Sequence, residues 1–266
     1  MRRIQIARFQ DGKFQDRDDL VAEEGLVTVE VADGPTFSVA ITPEAVREFV
    51  YGHLLGRGFI RGKEDVLEYR EHADPHVGLP GEVFRVEVRL RGPPTVPMAK
   101  DLIWTACGDT PPDFPALGSH QPRPVIGPEV LLALPNLVAG EVEGFRLTGA
   151  YHYAFLFDFT PRLRAAAWDI GRHTAVDKAL GAELLGAGAF GERILLTTGR
   201  ISADIVLRCL RAGIPLLASQ GAALLGGITL ARRHNLGLVG FLRGNRFNVY
   251  SGEGWIRSGP PAPRTP

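Results

Sequence analysis

Residues 193–221 read RILLTTGRISADIVLRCLRAGIPLLASQG, and the fold class turns on them. Arg193 to Thr197 is an apolar run of strand length. Thr198-Gly199-Arg200-Ile201-Ser202 breaks it, and Ser202 stands where a helix N-cap belongs. Ala203 to Ala212 then places Ile205, Val206, Cys209 and Leu210 on one face at helical spacing, and Gly213 closes the run. Pro215 to Ala218 is a second strand, followed by the break Ser219-Gln220-Gly221. A helix from about Gly221 to His234 and a strand Leu238 to Leu242 extend the series. Strand, helix, strand, helix, strand with short connections predicts parallel crossover units. Ligands in such sheets sit beyond the carboxyl ends of the strands. The segments there are 198–202, 219–221 and Arg243-Gly244-Asn245-Arg246, and each pairs small or flexible residues with hydrogen-bond donors. Two lie just before a helix N-terminus, where free amides and the helix dipole favour anions. The expectation is an anionic, nucleotide-like ligand, set against the blander reading that any parallel α/β domain carries glycines and caps at its strand ends.

Working upstream, His152 to Asp158 and Leu163 to Trp168 read as paired strands, and Thr174 to Leu185 as a helix. Nearer the N-terminus, Leu26 to Val31 and Thr36 to Ile41 flank Asp33-Gly34, a strong hairpin signal. Thr42 is expected to cap a helix with Pro43 at its first position and Glu44 near the positive end of the dipole. Val46, Phe49, Val50, His53 and Leu54 share a face of that helix, and Gly56 and Gly58 end it. Phe84, Val86, Val88 and Leu90 alternate with charged residues, the mark of a half-buried strand. From Cys107 to Pro128 six prolines punctuate a stretch without periodicity. Long loops of this kind are usually functional or disordered.

Composition narrows the function. The chain has 266 residues, 30 Lys plus Arg against 30 Asp plus Glu, and a formal net charge of +0. A general electrostatic grip on nucleic acid or anionic lipid is therefore not expected, and anion binding must come from local clusters. Only Lys13, Lys63, Lys100 and Lys178 are lysines. The arginine bias suits bidentate oxyanion binding, although a codon-biased or thermophilic source explains it as well. No apolar run approaches the ~20 residues of a membrane helix, no signal segment opens the chain, and two distant cysteines make no disulfide scaffold. A cytoplasmic protein is expected.

Two groups of residues invite chemistry. Cys107 sits in Trp104-Thr105-Ala106-Cys107-Gly108-Asp109, where the following glycine leaves the sulfur approachable. A thiolate there could be a nucleophile or carry a persulfide, while a buried structural thiol is the alternative. Cys209, on the apolar face of its helix, reads as core. The second group is His152, Asp169, Arg172, His173, Asp177 and Lys178. Arg172 beside His173 suits a phosphate or an anionic sulfur species. Asp177 and Lys178 read instead as a solvated helix face, with His173 as a cap. A metal site is disfavoured, since neither C-x-x-C nor H-E-x-x-H occurs. A nucleoside deaminase would need H-x-E and P-C-x-x-C, and both are missing. Walker-type and G-x-G-x-x-G loops are missing too.

Five segments occur in order: 148–152, TGAYH; Asp169-Ile170-Gly171-Arg172-His173 with 175–178, AVDK; 199–202, GRIS; 212–219, AGIPLLAS; and Gly240-Phe241 through 246–250, RFNVY. Together they resemble the formate dehydrogenase accessory sulfurtransferases (FdhD type), and the resemblance runs from the N-terminal hairpin to about Ser251. It implies a cytoplasmic, dimeric sulfur carrier with a deaminase-like α/β domain that has lost zinc chemistry. Such a protein accepts persulfide sulfur from a cysteine desulfurase and passes it to the molybdenum bis(molybdopterin guanine dinucleotide) cofactor for formate dehydrogenase. On this resemblance Cys107 is the sulfur-carrying residue. Phe241, Leu242, Arg243, Gly244, Asn245 and Arg246, with Arg200, Arg172 and His173, hold the cofactor, which is a bound substrate. No structural metal, nucleic acid or membrane is involved. The family's loop reads C-G-x-C-G, whereas Thr110 and Pro111 stand at its second cysteine and glycine here. The usual E-D-V-G-R-H-N becomes Trp168-Asp169-Ile170-Gly171-Arg172-His173-Thr174, and the usual S-A-P-T-like run after Ser219 becomes Gln220-Gly221-Ala222-Ala223. A lone thiol still relays sulfur directly but cannot release it by closing an internal disulfide. The alternative is a non-catalytic chaperone that binds the cofactor without a sulfur step.

The expected organisation is α/β: a small N-terminal α/β unit (1–106), a Pro/Gly-rich loop carrying Cys107 (107–128), a C-terminal deaminase-like cofactor-binding domain with a largely parallel sheet (129–256), and a disordered tail (257–266).

Overall fold

The computed structural model describes residues 1–74, 81–92, 126–186 and 188–256. Cys107, Thr110 and Pro111, the connection up to residue 125, and the tail 257–266 lie outside the described residues.

The chain opens with a two-stranded ribbon, β1 (Arg2–Gln10) against β2 (Lys13–Val21). Asp11 and Gly12 make its turn at φ 53° and 77°, the left-handed pair that a two-residue hairpin needs. The sequence reading missed this hairpin, because its strands carry charges where alternating apolar residues would announce them. Next come β3 (Gly25–Val31) and β4 (Thr36–Ile41), the expected hairpin around Asp33-Gly34. With β5 (Val66–Ala73) and β6 (Val83–Leu90) they form a four-stranded sheet ordered β4-β3-β6-β5.

Helix α1 (Val46–Arg57) ends as foreseen on Gly58, whose αL backbone returns its N–H to the carbonyls of Leu54 and Leu55. Its start corrects the sequence reading, since Ala45 occupies the N-cap position and Thr42 is not a cap. Thr42 is buried and turned toward the other half of the chain. The short helices α2 (Pro128–Leu137) and α3 (Glu143–Thr148) follow.

The second sheet has six strands: β7 (His152–Asp158), β8 (Leu163–Asp169), β9 (Arg193–Thr197), β10 (Leu216–Ser219), β11 (Gly237–Arg243) and β12 (Arg246–Ser251). Their order is β12-β11-β10-β9-β7-β8. Helices α4 (Arg172–Leu185), α5 (Ala203–Ala212) and α6 (Leu225–Arg233) connect them. The predicted crossover series β9-α5-β10-α6-β11 is present, with β9, β10 and β11 mutually parallel. The sheet as a whole is mixed, because β7, β8 and β12 pair antiparallel.

Alternation along the central strands explains the layers. Leu156, Leu195, Leu217 and Leu238 face one core, together with α4, α5 and α1 and with Val27, Val29, Val86 and Val88 of the four-stranded sheet. Phe155, Phe157, Ile194, Leu216 and Val239 face a second core closed by Leu131 and Leu134 of α2. Helices α1 and α4 meet in backbone contact. A Cβ on Gly52 would lie 1.7 Å from Asp177 O, and one on Gly181 would lie 1.8 Å from Glu48 O. Among the described residues no helix is long and apolar enough to cross a membrane.

Candidate functional site

The carboxyl ends of β9, β10 and β11 are laced into one ledge. Ser219 Oγ donates to Gly199 O at 2.6 Å and accepts from Gly221 N–H at 2.8 Å. Phe241 N–H donates to Gly221 O at 2.9 Å, and Ile201 N–H to Ala222 O at 2.9 Å. Gly221 suits this closeness, since a Cβ there would meet Gly199 O at 3.2 Å, a tight contact. Because β7 runs antiparallel to β9, the start of β7 arrives at the same edge. There Thr198 Oγ1 accepts from Tyr153 N–H at 3.0 Å and lies 3.4 Å from His152 Nδ1.

The structure brings Arg172 and Arg200 together on this ledge. Arg172 opens α4 with its stem packed on Gly199, where a Cβ would lie 2.7 Å from Arg172 Cβ. Arg200 is the next residue and is exposed. Burial lowers the guanidinium of Arg172, and repulsion from Arg200 adds to it. Arg172 Nε is buried without a hydrogen-bond partner, and neither arginine has an ion pair among the described residues. An isolated buried donor is costly, so two unneutralised guanidiniums around a glycine loop are suited to a bound oxyanion. His152 belongs to the same cluster: burial lowers its imidazole, and Arg172 and Arg200 lower it further against the pull of Asp169.

Phe241 to Arg246 forms the outermost part of the edge. Phe241 has φ 54° at an irregularity in the β11–β12 register, and the Arg243 guanidinium stands 5.4 Å from its ring centroid. Gly244 takes φ 60° in the two-residue turn shared with Asn245, and Arg243, Gly244, Asn245 and Arg246 are all exposed. Leu242 points the other way, fully buried in the second core. Its side chain anchors the hairpin in that core.

His173 is the next residue of α4 after Arg172. Its Nε2 is 3.3 Å from Ser202 Oγ and 3.6 Å from Asp204 Oδ2. Burial, reinforced by Arg208, pulls its imidazole down to about 4, so it is neutral at physiological pH. It therefore offers hydrogen bonds and no charge.

Asp177 and Lys178 overturn the solvated-face reading, because each is 1% exposed. The helix α4 is covered on nearly every side, so its polar residues are buried in pairs. Asp177 Oδ1 accepts from Arg208 Nε at 2.6 Å, and its Oδ2 lies 2.9 Å from His53 Nδ1. Burial alone would raise the Asp177 carboxyl, but Arg208 and His53 outweigh it and hold it well below the usual range. Arg208 also bonds Asp204, which joins α5 to the same network. Lys178 Nζ bridges Asp169 Oδ2 at 2.6 Å and Thr42 O at 2.9 Å. Asp169 further accepts from the N–H groups of Thr42 and Gly171 and from Thr174 Oγ1 at 2.5 Å. Asp169 is thus a structural pin between the halves, with its acceptors occupied.

Arg208 and Asp204 went unnoticed in the sequence, and His53 was read only as part of the α1 face. The i, i+4 spacing of Asp204 and Arg208 was the available signal. Cys209 is core as expected, fully buried with its thiol pushed up by burial. No group of three or more metal-ligating side chains occurs among the described residues.

Comparison with known proteins places the chain in a family. A model of the FdhD/NarQ family matches residues 22–257. A sulfur carrier protein FdhD from Nocardia farcinica is 34% identical over 265 residues, covering 96% of this chain and 94% of that protein. One of the same name from Sulfurisphaera tokodaii is 30% identical over 256 residues, covering 94% and 97%. A crystal structure from Desulfotalea psychrophila, described as a candidate formate dehydrogenase accessory protein, superposes with TM-score 0.74 at 27% identity, covering 96% of this chain and 98% of that one. With likeness in sequence and in fold both spanning nearly its whole length, the chain belongs to the FdhD/NarQ family, that of the formate dehydrogenase accessory sulfur carriers.

Proposed function

We propose that this protein is a sulfur carrier for formate dehydrogenase, with Cys107 as the carrying residue and the molybdenum bis(molybdopterin guanine dinucleotide) cofactor as the acceptor. The observation that carries the reading is the family match over residues 22–257, a span that takes in position 107 and the strand-end ledge alike. In the sulfur step the Cys107 thiolate attacks the outer sulfur of a cysteine desulfurase persulfide. That S–S bond breaks, the desulfurase keeps its own thiolate, and Cys107 holds the persulfide. The acceptor is anionic, and Arg172, Arg200 and the exposed Arg243–Arg246 hairpin supply the local positive charge that a net-neutral chain otherwise lacks. His173 adds neutral hydrogen bonding. A cytoplasmic homodimer is part of the same proposal.

The chaperone reading is favoured by one feature: Thr110 and Pro111 leave the loop without a second thiol. A single experiment separates the two. Incubation with a cysteine desulfurase and cysteine is expected to add one sulfur atom to the wild-type protein and none to Cys107→Ala, and only the wild type restores formate dehydrogenase activity in a strain lacking its own accessory protein. Full restoration by Cys107→Ala would sink the sulfur relay and leave the chaperone.

A further inference from the structure

His152 has no role in the reading above, yet it faces the same loop as the two arginines. Its Nδ1 lies 3.4 Å from Thr198 Oγ1, Arg172 packs on Gly199, and Arg200 follows directly. Three cationic or proton-binding side chains thus gather on residues 198–200. The nearby carboxylates are committed elsewhere. Asp169, the cross-strand partner of His152, is held by Lys178, Thr42, Gly171 and Thr174. Asp204, which draws on Arg172, is held by Arg208 and faces His173. No acid among these is left to neutralise the trio, and the buried Nε of Arg172 has no hydrogen-bond partner among the described residues.

An oxyanion placed among these groups changes the balance for His152. In the free protein burial and the two arginines hold the imidazole below its ordinary value, with Asp169 opposing them. A bound anion screens the arginines and offers the imidazolium a charge-assisted bond. We propose that His152 is a proton-coupled ligand of the diphosphate group of a nucleotide: binding between Arg172, Arg200 and His152 draws one proton from solvent onto the imidazole, so the grip tightens as pH falls below neutrality. This rests on the reading that the ledge holds a guanine dinucleotide, and it adds both a ligand residue and a pH dependence.

GDP-mannose is a suitable probe, because its diphosphate diester does not titrate near neutrality. Calorimetry in buffers of different ionisation enthalpy is expected to show proton uptake on binding, and affinity at least about threefold higher at pH 6 than at pH 8. Arg172→Gln should weaken binding roughly tenfold or more at every pH. Arg200→Gln, at an exposed position that does not threaten folding, should weaken it as well. His152→Gln should bind more weakly than wild type with no proton uptake and a flat pH profile. Equal uptake in wild type and His152→Gln, wild-type affinity in both arginine variants, or no binding by the wild type at millimolar probe would each overturn the inference. Sulfur loading of Cys107 in the same preparations is unaffected by that failure, so the two readings are judged separately.

Discussion

His173 shows how a single side chain changes meaning once its surroundings are known. In the sequence it stood beside Arg172 as a possible cationic contact. In the fold it is packed against Ser202 and Asp204 with its imidazole held at about 4. A histidine depressed on folding contributes stability that is complete above the unfolded value of about 6.5 and is lost as pH falls toward 4. The expected cost is about 2 kcal/mol between pH 7.5 and pH 5, at 1.36 kcal/mol per unit. Urea unfolding of wild type and His173→Gln at both pH values measures it. The variant should lose about 2 kcal/mol less than wild type on acidification, and an equal loss in both would refute the placement. Asp177 and Lys178 make the same point in reverse. An adjacent acid and base on a helix look like a wet face, and here both are buried because α1, α5, β7 and β8 pack on α4.

At the scale of elements, the crossing of α1 and α4 decides the architecture. Two glycines let these backbones touch, and the buried ions of α4 are then met by His53 of α1 and by Arg208 of α5. Gly52→Ala places a methyl on the carbonyl of Asp177, and neither partner is a flexible side-chain end. The expected destabilisation is about 3 kcal/mol or more, above the usual range for overpacking because backbone must move. Gly140→Ala, which meets nothing within 4 Å, should stay within about 0.5 kcal/mol of wild type. Denaturant midpoints of the two variants test the pair, and a tolerated Gly52→Ala would contradict the close crossing.

On the scale of the molecule, the first ribbon touches the rest of the described chain mainly where β2 meets α3. Neither core includes a residue of β1 or β2, while Phe9 and Phe14 are exposed at its tip with ring centroids 5.1 Å apart. A two-stranded hairpin is marginal by itself and lends little to a body it barely touches. Removal of residues 1–19 is therefore expected to change stability by less than about 1 kcal/mol, seen as a thermal midpoint lower by a few degrees at most. Loss of the cooperative transition on truncation would show that the ribbon belongs to the core.

Most of the second half was legible in the sequence, because short connections and period-matched apolar runs leave parallel crossovers few alternatives. Arg193–Thr197 and Ala203–Ala212 fall on the residues that the pattern marks. The β1–β2 ribbon was hidden, since its strands have no buried face to imprint a pattern, and Thr42 misled because a cap and a long-range anchor use the same residue type. By itself the sequence determined the crossover elements of the second half, the core cysteine and the strand-end loops, all set by local periodicity and backbone preference. Only the tertiary structure decided that β7 and β8 turn that sheet mixed, that α4 buries its ions, and that His152 joins Arg172 and Arg200. Those outcomes depend on which distant groups share a low-dielectric space, and charge pairing and desolvation act through distance in space, which no spacing along the chain encodes.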